Sequence, residues 1–291
     1  MRVHLVTYAT PRFYLRQTIL GLSARINHVA DTVTSWNPER LRAAGFERDM
    51  PGIDLAARGS GFWAWKPYII AKKLAEVPDG DMVFYCDVGR RYPYKTLEHS
   101  IAGYLEWMRK ECQEVMPGLH IPWKGPMSMW TKRAAFHAIG LDEETAYRAA
   151  PIQASFSLWI AGNNSRRLSS EWFGLCSIPT LINDDPSPGP LVELPDFFEN
   201  RHDQSLLSLC SLKAGIRGID LGTTMPDVDT QHPDEILDLL GHQRPEIPLA
   251  GKMLEKLAAG LAAAERLVRR RLKFGEARPE PTFQNRNSKH A

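Results

Sequence analysis

The 291-residue sequence predicts an α/β domain built on one mainly parallel sheet, with helices on both faces. Three observations predict it. Residues 3–36 read as strand, helix and strand, which is a βαβ unit. Met82-Val83-Phe84-Tyr85-Cys86 is a continuous apolar run, as a central strand buried on both faces requires. Helical and extended segments then alternate to about residue 222 without an internal repeat.

Val3 to Tyr8 is rich in β-formers and makes the first strand. Pro11 opens a helix to residue 25, with Phe13, Gln17, Leu20 and Ala24 three or four apart. Residues 28–36 form the second strand, closed by Asn37-Pro38. A helical period covers residues 64–77, Asp79-Gly80 is a turn, and the apolar run at 82–86 follows. Next come a helix at 97–110, an extended piece at 120–123, a helix at 132–139, a strand at 153–160 and a helix at 165–176. The Pro-, Gly- and Asp-rich stretch 184–190 is expected to be a mobile loop. Residues 203–214 predict a strongly amphipathic helix and 216–221 a short strand.

Hydrophobic residues are 43% and charged residues 24%, the balance of a globular chain, which excludes collagen-like, coiled-coil and wholly disordered classes. Four scattered cysteines make no metal or disulfide pattern and point to a reducing compartment. The first residues lack the long apolar core of a signal peptide, and no window offers the roughly 18 apolar residues of a membrane span. A cytoplasmic location follows as the expectation. The net charge of +2 selects no partner, but residues 252–273 carry seven bases and two acids, leaving the rest of the chain at −3. In that segment Leu254, Leu257, Leu261, Val268 and Leu272 fall on one helical face. A basic amphipathic helix suits peripheral contact with anionic lipid, at the inner membrane face, or simple docking with a solvated basic side. No nucleic-acid module accompanies the charge, so no nucleic-acid partner is expected. The expected organisation is a domain at 1–222, a connecting segment with a short helix at 223–250, the basic helix at 251–275 and a disordered tail at 276–291.

Ligands of open α/β sheets bind beyond the carboxyl ends of the strands, and Asp87 stands at such an end. Its carboxylate can hold a divalent cation or a sugar hydroxyl, Gly89 admits close backbone approach, and Arg90 and Arg91 can neutralise a diphosphate. A solvated turn explains the same residues. Arg58-Gly59-Ser60-Gly61-Phe62-Trp63-Ala64-Trp65-Lys66-Pro67-Tyr68 concentrates aromatics, glycines and cations. Trp65 can stack a base or sugar, or merely pack the loop, while Lys66 and Arg58 suit phosphate. Asn200-Arg201-His202-Asp203-Gln204 opens a helix, where Asp203 is either an N-cap or a reactive carboxylate at an anion-favouring terminus.

Together G-F-W-A-W-K-P-Y at 61–68, G-D-M-V-F-Y-C-D-V-G at 80–89 and R-H-D-Q-S-L-L-S at 201–208 resemble bacterial GT-A-type glycosyltransferases. These are nucleotide-sugar transferases of the capsular-polysaccharide and lipopolysaccharide type, and the resemblance runs in motif order over residues 2–222. It implies a GT-A-like sheet and transfer of a sugar from a nucleotide donor, a UDP-sugar by expectation, to a glycan or lipid-linked acceptor in surface polysaccharide synthesis. The implied donor site is Asp87, Gly89, Arg58, Trp65, Lys66 and Arg90. The implied catalytic residues are Asp203, Gln204 and His202, with Asp203 orienting the donor sugar and retention preferred to inversion. Gln153, Ser155 and Trp172 are the expected acceptor side. The family's Asp-x-Asp would bind Mn²⁺ or Mg²⁺ through Asp87, yet Gly89 replaces the second acid, which weakens the expected metal site.

Two rival readings accompany it. A non-catalytic nucleotide- or glycan-binding module of the same fold would explain the lost acid. A nucleotidyltransferase would need a glycine-rich phosphate loop after the first strand, where this chain has Ala9-Thr10-Pro11-Arg12.

Overall fold

The structure, a computed structural model, describes residues 1–88, 96–97, 101–220 and 247–272, with side chains to residue 268 in the last stretch. Strand β1 (Val3–Tyr8) is followed by a short 3-10 turn at Pro11–Phe13 and helix α1 (Tyr14–Ile26). Pro11 suits that entry because its missing N–H falls where no intrahelical partner exists. Strand β2 (Thr32–Trp36), helix α2 (Trp65–Glu76) and strand β3 (Met82–Cys86) complete the first half. Helix α3 (Ala102–Lys110), strands β4 (Val115–Met116) and β5 (Leu119–His120), and helix α4 (Arg133–Ile139) follow. After β6 (Ile152–Gln153) and β7 (Phe156–Ile160) come helices α5 (Asn163–Cys176), α6 (Asp203–Lys213) and α7 (Leu249–Leu272).

Five strands form one sheet in the order β2-β1-β3-β7-β4. β1 pairs parallel with β2 and β3, whereas β7 pairs antiparallel with both β3 and β4, so four of the five strands share a direction. Strand parity sorts the core into two layers. Val6, Tyr8, Val83 and Tyr85 enter one apolar cluster with side chains of α2, α5 and α6. Leu5, Met82, Phe84 and Cys86 enter the other with Leu20 and Ala24 of α1 and Tyr104 and Met108 of α3. A period of two on a doubly covered sheet makes every residue of β3 buried, as its composition demands. The expected sheet with helices on both faces is therefore present.

Several boundaries differ from expectation. His28 adopts a left-handed φ of 54°, which ends the approach to β2, and the strand starts at Thr32. The single strand expected at 153–160 is two, because the Ala154 carbonyl turns away to accept a side-chain hydrogen bond from Lys66. α6 is not amphipathic: its residues from Ser205 to Ser211 are all buried. Small serines allow this, since Ser208 Oγ donates back to the Gln204 carbonyl and Ser205 Oγ to that of Trp130. In place of a strand at 216–221, Ile219 makes one bridge to Leu119. Nor is the loop at 184–190 loose. Ser187 Oγ accepts the Ala134 amide, and Glu193 accepts the amides of Arg133 and Ser187, which ties the loop to the start of α4. Of the connecting segment expected at 223–250, residues 223–246 lie outside the described residues, as does the whole tail expected at 276–291.

Candidate active site

Residues 59–63 are the most unusual backbone among the described residues. Gly59, Ser60, Gly61, Phe62 and Trp63 all have φ between 54° and 85°, one complete left-handed turn. Glycine tolerates this, but Ser60, Phe62 and Trp63 each bear a cost of about 1–2 kcal/mol. Tertiary contacts hold the turn. Ser60 Oγ shares a hydrogen bond of 2.6 Å with Tyr8 OH, and Trp65 Nε1 donates to the Gly59 carbonyl at 3.0 Å. Tyr8 and Trp65 stack at 4.0 Å between ring centroids.

The turn delivers Lys66 into the first turn of α2, beneath the carboxyl end of β3. Its ammonium lies 2.8 Å from Asp203 and 3.8 Å from Asp87, and donates to the Ala154 carbonyl at 2.9 Å. The Lys66 and Asp203 side chains are each 5% exposed, while Asp87 is 28% exposed. Burial alone would push the Lys66 pKa down, but Asp203 and then Asp87 outweigh it and hold the ammonium above its ordinary range. Burial pushes the Asp203 carboxyl up to about 6 against the pull of Lys66. The pair is thus charged at neutral pH. Tyr85, two residues before Asp87 and on the same face of β3, donates its hydroxyl to Asp87 Oδ1. Burial and the neighbouring carboxylate raise that phenol well above its ordinary value, so it remains a donor. The Asp87 amide in turn donates to the Ser155 carbonyl at 2.8 Å.

Lys66, Asp87, Asp203 and Ser155 therefore converge. Ser155 Oγ is buried and has no hydrogen-bond partner among the described residues. Gln204 is half-buried in the first turn of α6. Gln153 is placed apart, in the β5–β6 ladder opposite Leu119. Trp172 requires correction as an acceptor platform. It is fully buried and parallel to Trp159, and its indole N–H donates to the Asp203 carbonyl at 2.9 Å. Trp65 is 4% exposed with one face covered by Tyr8, so it walls the site and offers no open stacking surface. Gly89 and Arg90 lie outside the described residues.

His202 belongs to a different group. With φ 55° and ψ −120° it caps α6, and its ring packs against Phe62 and Trp63 at 5.3 and 5.2 Å. Nδ1 approaches the Ile182 carbonyl at 2.6 Å, which fixes the proton there and leaves the lone pair on Nε2. Burial depresses the ring pKa to about 4. Asn200 Nδ2 donates to the carbonyls of Leu181 and Asn183, and Lys132 donates to those of Thr180 and Asn183. Three side chains thus satisfy the carbonyl end of the short helix Pro179–Ile182. They also set Asp184, which pairs with Arg58 at 3.3 Å and stands 3.4 Å from His202 Nε2. His202 is accordingly a buried support for the left-handed turn, with Asp184 of the loop at 184–190 as its neighbour.

Sequence reasoning passed over Tyr85 and Tyr8. Tyr85 carried a signal in its parity with Asp87, two residues on; Tyr8 carried none, because its place over Trp65 depends on packing between β1 and α2.

A Mn²⁺ or Mg²⁺ ion, which the resemblance implies at Asp87, needs several oxygen ligands around it. Among the described residues no third Asp, Glu, His or Cys joins a group able to hold a metal. The position between Asp87 and Asp203 is taken by the Lys66 ammonium, which would repel a divalent ion. The described donor set does not fit a metal there.

No protein-family model matches this chain, and no curated protein does. Among solved structures it is similar to the galactosyltransferase LgtC, solved in complex with donor and acceptor sugar analogues. Identity is 13%, the match covers 88% of this chain and 95% of that one, and the TM-score is 0.37.

Proposed function

We propose that this chain is a GT-A-like glycosyltransferase, moving a sugar from a nucleotide-sugar donor to a glycan or lipid-linked acceptor. One observation carries the reading: Lys66, Asp87 and Asp203, from three motifs well separated in sequence, meet around one buried ammonium at the carboxyl end of β3. Strained backbone at 59–63 and at His202 borders the same place, and such strain persists where a site needs it.

The half-open group is Asp87. Tyr85 and Lys66 approach its Oδ1, so Oδ2 is the atom left to accept a hydroxyl of the donor sugar or ribose. Asp203 and Lys66 are positioning residues, locked beneath Asp87 by Trp172 and Ala154. As the donor breaks, negative charge grows on the leaving diphosphate and positive charge on the anomeric carbon. The amino end of α6 with Gln204, the half-exposed Arg58 and the sequence-assigned Arg90 collect the first. Asp87 supports the second. A UDP-sugar, retention of configuration and an acceptor from surface polysaccharide synthesis complete the proposal.

Thermal shift with UDP, GDP, CMP and ADP, each with and without Mn²⁺, tests it. A ligand at a hundred times its Kd adds about 2.7 kcal/mol of stability. UDP is expected to stabilise the chain equally with and without Mn²⁺, and the UDP-sugar to be hydrolysed or transferred. Stabilisation without turnover would favour the binding module. Silence across the panel from folded protein overturns the reading.

A further inference from the structure

Helix α7 docks on α1 through one face and leaves a second apolar face open. Gly251, Ala258 and Ala262 are buried, Leu254 and Leu261 are half-buried, and Glu265 pairs with the buried Arg16 of α1. This corrects the single stripe expected from sequence, of which Leu254 and Leu261 face the protein. Leu249, Met253, Leu257, Leu267 and Val268 are 75%, 64%, 56%, 59% and 53% exposed. With Gly260 and Ala264 between them, their spacings of three and four residues make one continuous line along the helix. From Leu249 to Val268 that line runs roughly 29 Å. Lys252, Lys256 and Arg266 fall on an adjacent line, with Ala259 and Ala263 between them. On α1 itself, Leu15 and Leu22 are also exposed, seven residues apart.

We infer that this face of α7 lies in the interface of a membrane containing anionic lipid, with Leu249, Met253, Leu257, Leu267 and Val268 in the acyl boundary and Lys252, Lys256 and Arg266 at the headgroups. Charge complementarity selects that occupant: the segment 252–273 is net +5 while the remainder of the chain is net negative. A long face of aliphatic side chains edged by bases matches a planar charged apolar boundary. No described helix is long and apolar enough to cross a membrane, so the contact is in-plane. Orientation adds to the argument. Arg16 stands in the first turn of α1, at the carboxyl end of β1, so the Glu265 end of α7 rises at the edge of the sheet where Asp87 lies. A lipid-held ligand would meet the site from that edge. The inference does not depend on the proposed transfer reaction.

Co-sedimentation of the full chain with phosphatidylcholine vesicles, with and without about one-third phosphatidylglycerol, tests it without any activity readout. Binding is expected on anionic vesicles alone and should weaken as salt rises from about 0.1 to about 0.5 M. Lys252→Gln/Lys256→Gln/Arg266→Gln should bind roughly a hundredfold more weakly. Met253→Ser/Leu257→Ser/Leu267→Ser should lose binding at low salt with an unchanged thermal midpoint, because these side chains touch water in the free protein. Failure to bind anionic vesicles, or undiminished binding by the serine variant, overturns the inference. So does a dimer in sedimentation velocity that the serine variant abolishes, or retention on RNA in place of vesicles.

Discussion

Lys66 Nζ lies 2.8 Å from Asp203 Oδ2 with both side chains 95% enclosed, and this pair joins the amino end of α2 to that of α6. Two buried charges are tolerable only together. Lys66→Met leaves a carboxylate enclosed without its cation, and should destabilise the chain by about 3–5 kcal/mol in urea unfolding. Lys66→Met/Asp203→Leu, which removes both charges at similar volume, should recover most of that loss. A single variant within 1 kcal/mol of the parent, on the order of the value for an exposed pair, would sink the assignment.

The pH dependence of stability carries two opposed contributions. Asp203 has a folded pKa of about 6, above its unfolded value, so its contribution is complete in acid and is lost as pH rises through 6. His202 has a folded pKa of about 4, below its unfolded value, so its contribution is complete above pH 6.5 and is lost as pH falls through 4. Over pH 4–6 the two largely cancel. Asp203→Asn should expose the histidine alone, and its stability relative to the parent should rise by about 3 kcal/mol between pH 4 and 6.5. His202→Gln should show the reverse slope. Chemical denaturation at stepped pH reads both.

Much of this site was legible in the sequence because its parts are polar residues at element ends. Lys66, Asp87 and Asp203 stand out in their motifs, and the apolar run before Asp87 marks a buried strand end. What eluded the sequence depends on packing from elsewhere. Trp172 on a helix face can be a platform but is more often core, and its packing against Trp159 on β7 decides it. Two apolar lines run along α7, and only its contact with α1 shows which one docks. Gly-Ser-Gly announces a turn, but its continuation through the left-handed Phe62 and Trp63 depends on partners far off in sequence, Tyr8 on Ser60 and His202 against the two rings.

That left-handed turn makes a direct prediction about its glycines. Gly61 has φ +85°, and an added Cβ would stand 2.8 Å from Ile53 Cγ2. Gly61→Ala therefore adds crowding to the left-handed cost, about 3 kcal/mol in all. Gly140 has φ +77° with nothing within 4 Å of a Cβ, so Gly140→Ala should cost only about 1–2 kcal/mol. Thermal midpoints of the two variants measure the difference. Equal losses would mean that the turn relaxes around the new methyl.

Asp87 separates chemistry from stability more cleanly than its buried neighbours. Asp87→Asn keeps an oxygen for the Tyr85 hydroxyl and removes the charge from a side chain already 28% exposed, so stability should change by no more than about 1 kcal/mol. Transfer should fall by at least about a hundredfold in kcat/KM, because the group facing the developing positive charge is gone. Tyr85→Phe leaves the charge but frees Asp87 to rotate. Its expected signature is a loss of about tenfold, shared between kcat and the donor's KM, with the nucleotide itself bound as before. Steady-state kinetics with the donor that the nucleotide panel selects, alongside calorimetry of UDP binding, distinguishes the two variants. Undiminished turnover by Asp87→Asn would remove Asp87 from the reaction and leave the ammonium-centred cluster a purely structural one.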